Sequence, residues 1–547
     1  MSGWKNRSLV AVVYVRRTGA HRAPLQHFFC LLSSVLCLLL PACSKRDAPS
    51  AAGSVLRIAQ RNEPATLDPQ LATLPDEFFI IRALSEGLVT PSPVGGTPIP
   101  AVASHWEATD NWQKWTFHLS GSAFWSNGDP VTAQDFIFSI HRALTPGFGA
   151  PKAPLFFAIR NAAAFYRGRL ADFSQVGLAA PDNRTLVITL ERPATDFLQL
   201  AASGPWIPVH PATIERLGPA WTRPGNFVGN GPFILAGWSP NQRITVRRNP
   251  HYHHSFDVKL DEIQFLAFDS GDTEERAFRA GQVDVTMSVP ASKLDSYRAT
   301  ESAGLHTVPL HETRYLALNT TKAPLNDARV RRALSLSLDR KILDEKVLQG
   351  GQQPAFTFVP PGLGGYAPKA TIYGNRDDLS SEALAKEEAR RLLADAGFPG
   401  GRGFPKLELS TWGASTTVLE AVQQRWRDTL GIEVTLLQRE ARTHLVALAA
   451  GDYDIGFATA IPDYDSPVDL LTRLTTDNAG NYPHWSRVEF DRLASTGSLQ
   501  PAEALLLADM PVIPLYFNAQ NFLVSPRVQH WQTDRLWTRY YRAVSVK

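Results

Sequence analysis

Residues able to do chemistry are few in this chain, and their placement narrows the choices. The three cysteines, Cys30, Cys37 and Cys43, all lie in the first tenth of 547 residues. The remainder therefore cannot build a disulfide, a cysteine-ligated zinc site or a thiol nucleophile. His251, His253 and His254 form the one metal-like cluster, with a spacing that could hold a soft transition metal. His311-Glu312 lacks the second histidine that a zinc-binding helix needs. There is no Gly-x-Ser-x-Gly elbow, no phosphate-binding P-loop and no complete dinucleotide-binding glycine motif; Gly401-Arg402-Gly403 is a loop fragment. The adjacent carboxylates Glu274 and Glu275 read as a solvated helix face, and Trp106, Trp112, Trp115 and Trp125 read as core. No nucleophile–base set emerges, so the sequence points away from an enzyme and implies no cofactor.

Two side chains stand out for where their elements place them. Leu407 to Ser410 reads as a strand. A helix with one apolar face follows through Val418, Ala421, Val422, Arg425 and Arg427, closed by Gly431. Ile432 to Leu437 is a second strand, Glu440 to Ala450 a second helix ending at Gly451, and Asp454 to Phe457 a third strand. This β-α-β-α-β order requires crossover connections and a parallel sheet. Ligands of open α/β sheets bind beyond the carboxyl ends of the strands. Trp412 and the loop from Ala458 to Pro467, which carries Asp463, occupy that position. Upstream, Val55 to Ala59, Trp115 to Leu119 and Arg184 to Leu190 read as strands. Thr132 and Asp135 form a capping-box pattern for a helix from about Ala133 to before Pro146. Gly229-Asn230-Gly231-Pro232 is a turn ahead of a strand at Ile244 to Val246.

The bulk numbers suit a globular protein: 44% hydrophobic, 20% charged, net charge +3. With 55 basic and 52 acidic residues interspersed, there is no nucleic-acid-binding footprint. Phe28 to Leu40 is apolar except for Ser33 and Ser34, short of the about 20 residues a bilayer span takes and of the length of a signal-peptide core. Lys5, Arg7, Arg16, Arg17 and Arg22 precede it. Leu40-Pro41-Ala42-Cys43 then resembles a bacterial lipoprotein signal, with Cys43 expected to be lipidated and to begin the mature chain. Ser44 to Gly53 reads as a flexible tether.

A family resemblance is carried by many short motifs in order: Thr66-Leu67-Asp68-Pro69, Ser85-Glu86-Gly87-Leu88, Trp115-Thr116-Phe117-His118-Leu119, and Phe124 to Phe136. Asn230-Gly231-Pro232-Phe233, Arg248-Asn249-Pro250-His251-Tyr252, Lys322 to Ala333, and Leu338-Asp339-Arg340 continue it. Over Val55 to Tyr541 the chain resembles the oligopeptide- and dipeptide-binding proteins of bacterial ABC importers, extracellular solute-binding family 5.

The resemblance implies an α/β, two-lobed periplasmic-binding-protein fold (type II, large peptide-binding class) with an additional small domain. It divides the chain into a signal peptide at 1–43, a tether at 44–53, lobe I at 54–90, 205–310 and 520–547, a small extra domain at 91–204, and lobe II at 311–519. It further implies hinge closure on short peptides held by backbone hydrogen bonds, delivery to a permease and ATPase complex, and a monomeric, lipid-anchored protein of the cell envelope or periplasm. In the family, His251 to His254 would be a surface turn. Asp463 matches an aspartate that pairs with a peptide's free α-ammonium, and Tyr464, Trp412, Ala460, Ile461 and Phe457 are its expected neighbours at the ligand.

The chain also departs from the family pattern. Thr459-Ala460 replaces a Gly-Trp pair, and Leu448 and Phe457 stand where relatives carry carboxylate-binding arginines. The stretch Leu493 to Leu505 is shorter than in relatives by about three helical turns, which is expected to leave Ser495 to Gln500 as a bare loop or to loosen lobe II. A nickel chelate, haem, a sugar or a murein peptide stay open as ligands, as does a chaperone or enzyme reusing the scaffold.

Overall fold

The computed structural model describes residues 53–300, 304–374, 376–413 and 416–547. The signal segment, Cys43 and nearly all of the tether lie outside them. Three apolar cores organise the rest. The first surrounds a four-stranded sheet ordered Val55–Gln60, Glu262–Ala267, Arg243–Arg248, Phe233–Ser239. Val55–Gln60 runs parallel to Glu262–Ala267, and the other pairs are antiparallel. Alternation along these strands buries Leu56, Ile58, Ile244, Val246, Ile263 and Phe265 on one face. Phe522, Val528, Tyr541 and Val544 from the far end of the chain complete this core.

The second core belongs to an antiparallel sheet ordered Ala103–Thr109, Lys114–Leu119, Thr185–Thr189, Leu178–Asp182. The helix Ala133–Leu144 packs on it, burying Phe136, Ile140 and Ala143. Its start is fixed as the sequence predicts: Asp135 accepts from Thr132 N at 2.9 Å and from Trp125 Nε1 at 3.0 Å. Trp115 and Trp125 are core, whereas Trp112 is exposed on a left-handed turn.

The third core surrounds a six-stranded sheet ordered Gln353–Pro354, Val512–Leu523, Leu305–Leu318, Ile455–Ala460, Leu407–Trp412, Val434–Arg439. The predicted crossover trio is present: Leu407–Trp412 lies parallel to both Val434–Arg439 and Ile455–Ala460, with helices Thr416–Leu430 and Ala441–Ala450 between them. Gly431 and Gly451 take positive φ past the helix ends. The sheet as a whole is mixed rather than parallel, because Leu305–Leu318 joins the trio antiparallel. That strand and Val512–Leu523 run as one long ribbon from the first core to the third. Pairing breaks between Pro309 and Thr313, where Leu310, His311 and Glu312 stand opposite Asn518. Glu312, wholly buried there, accepts from Asn518 Nδ2 at 3.0 Å and Trp537 Nε1 at 2.9 Å and pairs with Arg314 at 2.5 Å.

The short stretch after Leu493 is not a bare loop. Helices Val488–Ser495 and Leu499–Asp509 meet across a three-residue turn, and Leu493, Ala502, Leu506 and Leu507 enter the third core. Among the described residues no helix is long and apolar enough to cross a membrane.

Candidate functional site

Ile455–Ala460 ends in the loop 461–466, which turns into the short helix Pro467–Thr472. Proline at the first helical position and Ser466 as cap, accepting from Val468 N, set that turn. Asp469 and Arg473, one helical turn apart, pair at 2.7 Å. Asp463 N donates to Asp469 Oδ2 at 2.7 Å, and Arg473 Nη2 also reaches Asp463 Oδ2 at 2.8 Å. The loop is therefore pinned from behind, and Asp463 faces forward.

Opposite it lies the small-domain core and the helix Pro75–Leu84. Between the two sides is a cavity of about 820 Å³. Phe78, Arg82, Lys152, Gln199 and Ala202 to Pro205 form one wall; Ile461 to Asp465, Arg473 and Tyr482 form the other; Thr533 to Thr538 and His311 close the end. The volume falls in the ordinary range for enclosed ligand sites. The walls touch across the cavity. Lys152 Nζ donates to Asp463 Oδ1, Ser466 Oγ donates to Asp196 Oδ2 at 2.7 Å, and Tyr464 packs on the small-domain core.

Burial would raise the Asp463 carboxyl, but Lys152 and Arg473 outweigh it and hold the group below the usual carboxylate range. Burial, reinforced by the neighbouring Asp463 charge and opposed by Arg473, pushes Asp469 up. His311 is lowered to about 4 by burial and then by Arg535, and is neutral at pH 7.

Of the residues expected at the ligand, Asp463, Tyr464 and Ile461 line the cavity. Trp412, Phe457 and Ala460 do not: Phe457 and Ala460 are buried, and Trp412 packs at a tilt against Phe457 and His444 at ring distances of 5.4 and 5.2 Å. They back the strand ends instead. Leu448 is likewise in the core. The Asp469–Arg473 spacing was readable as a helical ion pair. Lys152 carried no such signal, lying 311 residues from Asp463. The histidine cluster lies on a surface turn, as expected, with His251 and His254 exposed; only His253 is tied down, its Nε2 meeting Glu86 Oε1 at 2.5 Å. Glu274 and Glu275 are buried, contrary to the solvated face expected. Glu274 accepts from Met287 N and Ser288 N, and Glu275 from Lys293 and Tyr297.

Residues 97–482, well over half of the chain, match the bacterial extracellular solute-binding proteins, family 5 (middle region). The chain belongs to this family. It is 34% identical to the periplasmic murein peptide-binding protein MppA of Escherichia coli K12, over 85% of this chain and 88% of that one. It is 33% identical to the probable deoxycholate-binding periplasmic protein YgiS of the same organism, over 88% and 91%. The periplasmic oligopeptide-binding protein OppA of Salmonella typhimurium is 31% identical, over 91% and 94%. The fold matches a structure of the E. coli murein tripeptide binding protein with TM-score 0.83, covering 91% of this chain and 99% of that one at 31% identity. Against the unliganded open form of MppA the score is 0.70, over 91% and 98% at the same identity. The two-lobed α/β architecture of this solute-binding family is thus the architecture of the chain.

Proposed function

We propose that the chain is the substrate-binding subunit of an ABC importer, taking short peptides into the cleft between the lobes and passing them to a membrane permease. One observation carries this reading: a cavity of about 820 Å³ lies between walls from different lobes, joined by the ribbon of Leu305–Leu318 and Val512–Leu523. Such a cleft opens and shuts by flexing a few residues, and the irregular stretch Leu310 to Glu312 is placed to absorb that change. Relatives named for murein peptides and oligopeptides support peptides as the solute class, with murein peptides included. Asp463, Tyr464 and Ile461 are the proposed ligand-facing residues of lobe II. No catalytic role is assigned to any residue.

The proposed division keeps lobe I at 54–90, 205–310 and 520–547, the small domain at 91–204 and lobe II at 311–519. The three apolar cores support it. The periplasmic names of the relatives support an envelope location, with lipidation of Cys43 as the proposed anchor. Replacing Cys43 by Ala is expected to release the protein from membranes into the soluble envelope fraction; unchanged partition with no acyl group contradicts the anchor. The function is tested by expressing the protein in a bacterial envelope, denaturing it and identifying the released ligand by mass spectrometry. Short peptides are expected. Recovery of a sugar, haem or a metal chelate, with no peptide, contradicts the reading.

A further inference from the structure

Both oxygens of the Asp463 carboxylate already carry a cationic partner. Lys152 Nζ occupies Oδ1, and Arg473 Nη2 occupies Oδ2 at 2.8 Å while also holding Asp469. Two cations meet two carboxylates, so the cluster has no surplus negative charge with which to attract an ammonium. A ligand ammonium arriving at Asp463 would either stand beside Lys152, like charge against like, or expel it. Lys152 is itself well placed: its side chain is 18% exposed and its ammonium lies 5.4 Å from the centre of the Phe78 ring. Away from this cluster the cavity wall carries charge of both signs: Asp465 and Asp534 line it, and so do Arg82 and Arg535. Arg82 donates to Ala202 O at 3.0 Å and has no carboxylate in ion-pair contact, and exposed Arg535 has no ion-pair partner among the described residues.

We propose that Lys152 is a specificity-determining residue, a tethered ammonium that occupies Asp463 across the cleft and directs the site to short peptides or peptide-like ligands with no cationic N-terminus. The ion pair then has two consequences. It joins the small-domain wall to lobe II without a ligand, and it excludes the free α-ammonium of an ordinary peptide. Asp463 in this account is a latch for the shut cleft. The peptide part rests on the proposed function; the latch does not.

The test uses the full mature chain and its Lys152→Met variant, which keeps the length of the side chain and removes the charge. An equimolar pool of peptides of three to five residues, each in free and N-acetylated form, is offered to both proteins, and retained species are quantified by native mass spectrometry. Wild type is expected to retain acetylated forms at least tenfold over free ones, and Lys152→Met to raise the relative retention of free forms at least tenfold. Preference of wild type for free N-termini, or the same ratio in both proteins, overturns the proposal. If neither protein retains any peptide, the peptide reading fails, and small-angle scattering of the ligand-free proteins decides the latch. A larger radius of gyration for Lys152→Met than for wild type supports it; identical profiles overturn it.

Discussion

Asp463, with Lys152 on one oxygen and Arg473 on the other, sets the expectations at the residue scale. Asp463→Asn leaves Lys152 without its partner, while Arg473 keeps Asp469. The cost is expected at about 1–3 kcal/mol, the range for a lost charge-assisted hydrogen bond at a partly buried site. Urea unfolding measures it, and a variant as stable as wild type contradicts the pairing. At the other end of the cavity, Arg535 is free to meet a ligand carboxylate. Amidating the C-terminus of a bound peptide should weaken it by about tenfold, or about 1.4 kcal/mol, in wild type and much less in Arg535→Ala. Equal penalties by calorimetry in the two proteins exclude Arg535. The place of Asp463 on the cavity wall was legible from sequence because strand order alone puts its loop beyond the strand ends. Lys152 was not, because contact between residues so distant in the chain is made by the packing of whole domains. Glu274 and Glu275 misled for a related reason: their partners, Ser288 and Lys293, approach only when the chain folds back past Gly281.

At the scale of elements, buried carboxylates tie segments together. Glu503, on the helix Leu499–Asp509, accepts from Phe358 N at 3.0 Å, Val359 N at 2.8 Å and the Tyr366 hydroxyl at 2.8 Å. Burial outweighs those bonds and pushes its carboxyl up to about 7, against 4.5 ordinarily. The native state therefore holds a proton that the unfolded chain releases, and this group makes stability fall as pH rises between those values. The loss totals on the order of 3 kcal/mol. Glu503→Gln cannot ionise, so its stability relative to wild type should climb across that window and level off above it; a difference independent of pH, by urea unfolding, contradicts the assignment. Asp68, its side chain 2% exposed, is paired at 2.5 Å with Arg142 from the helix Ala133–Leu144. Arg142→Met strands that charge and should cost about 3–5 kcal/mol, where a loss below 1 kcal/mol would show that Asp68 finds water instead. Elements with strong local signals were readable: the capped helix at Ala133, and the strand–helix alternation from Leu407 to Ala460. The antiparallel entry of Leu305–Leu318 was not, since no local pattern names a partner strand as distant as Ile455–Ala460, and the short link after Leu493 closed into two helices because its apolar residues still reach the core.

At the scale of the molecule, the walls of the cleft are in contact, and the fold agrees better with one structure of the murein tripeptide binding protein than with its unliganded open form. The family resemblance made the two-lobed plan readable, but not the contact of the walls, where Lys152 meets Asp463 and Ser466 meets Asp196. With the walls in contact, a ligand bound between the lobes enters only when the cleft opens. The chain has no cysteine after Cys43, so Asp196→Cys with Ser466→Cys gives two unique thiols facing each other across the cleft. A short thiol-specific cross-linker on this pair should hold the walls together. The decisive measurement is calorimetry with a short peptide that the uncross-linked double variant binds. Cross-linking, complete by mass spectrometry, is expected to lower affinity by at least a hundredfold. Unchanged affinity in the fully cross-linked protein would contradict that requirement and place the ligand outside the cleft.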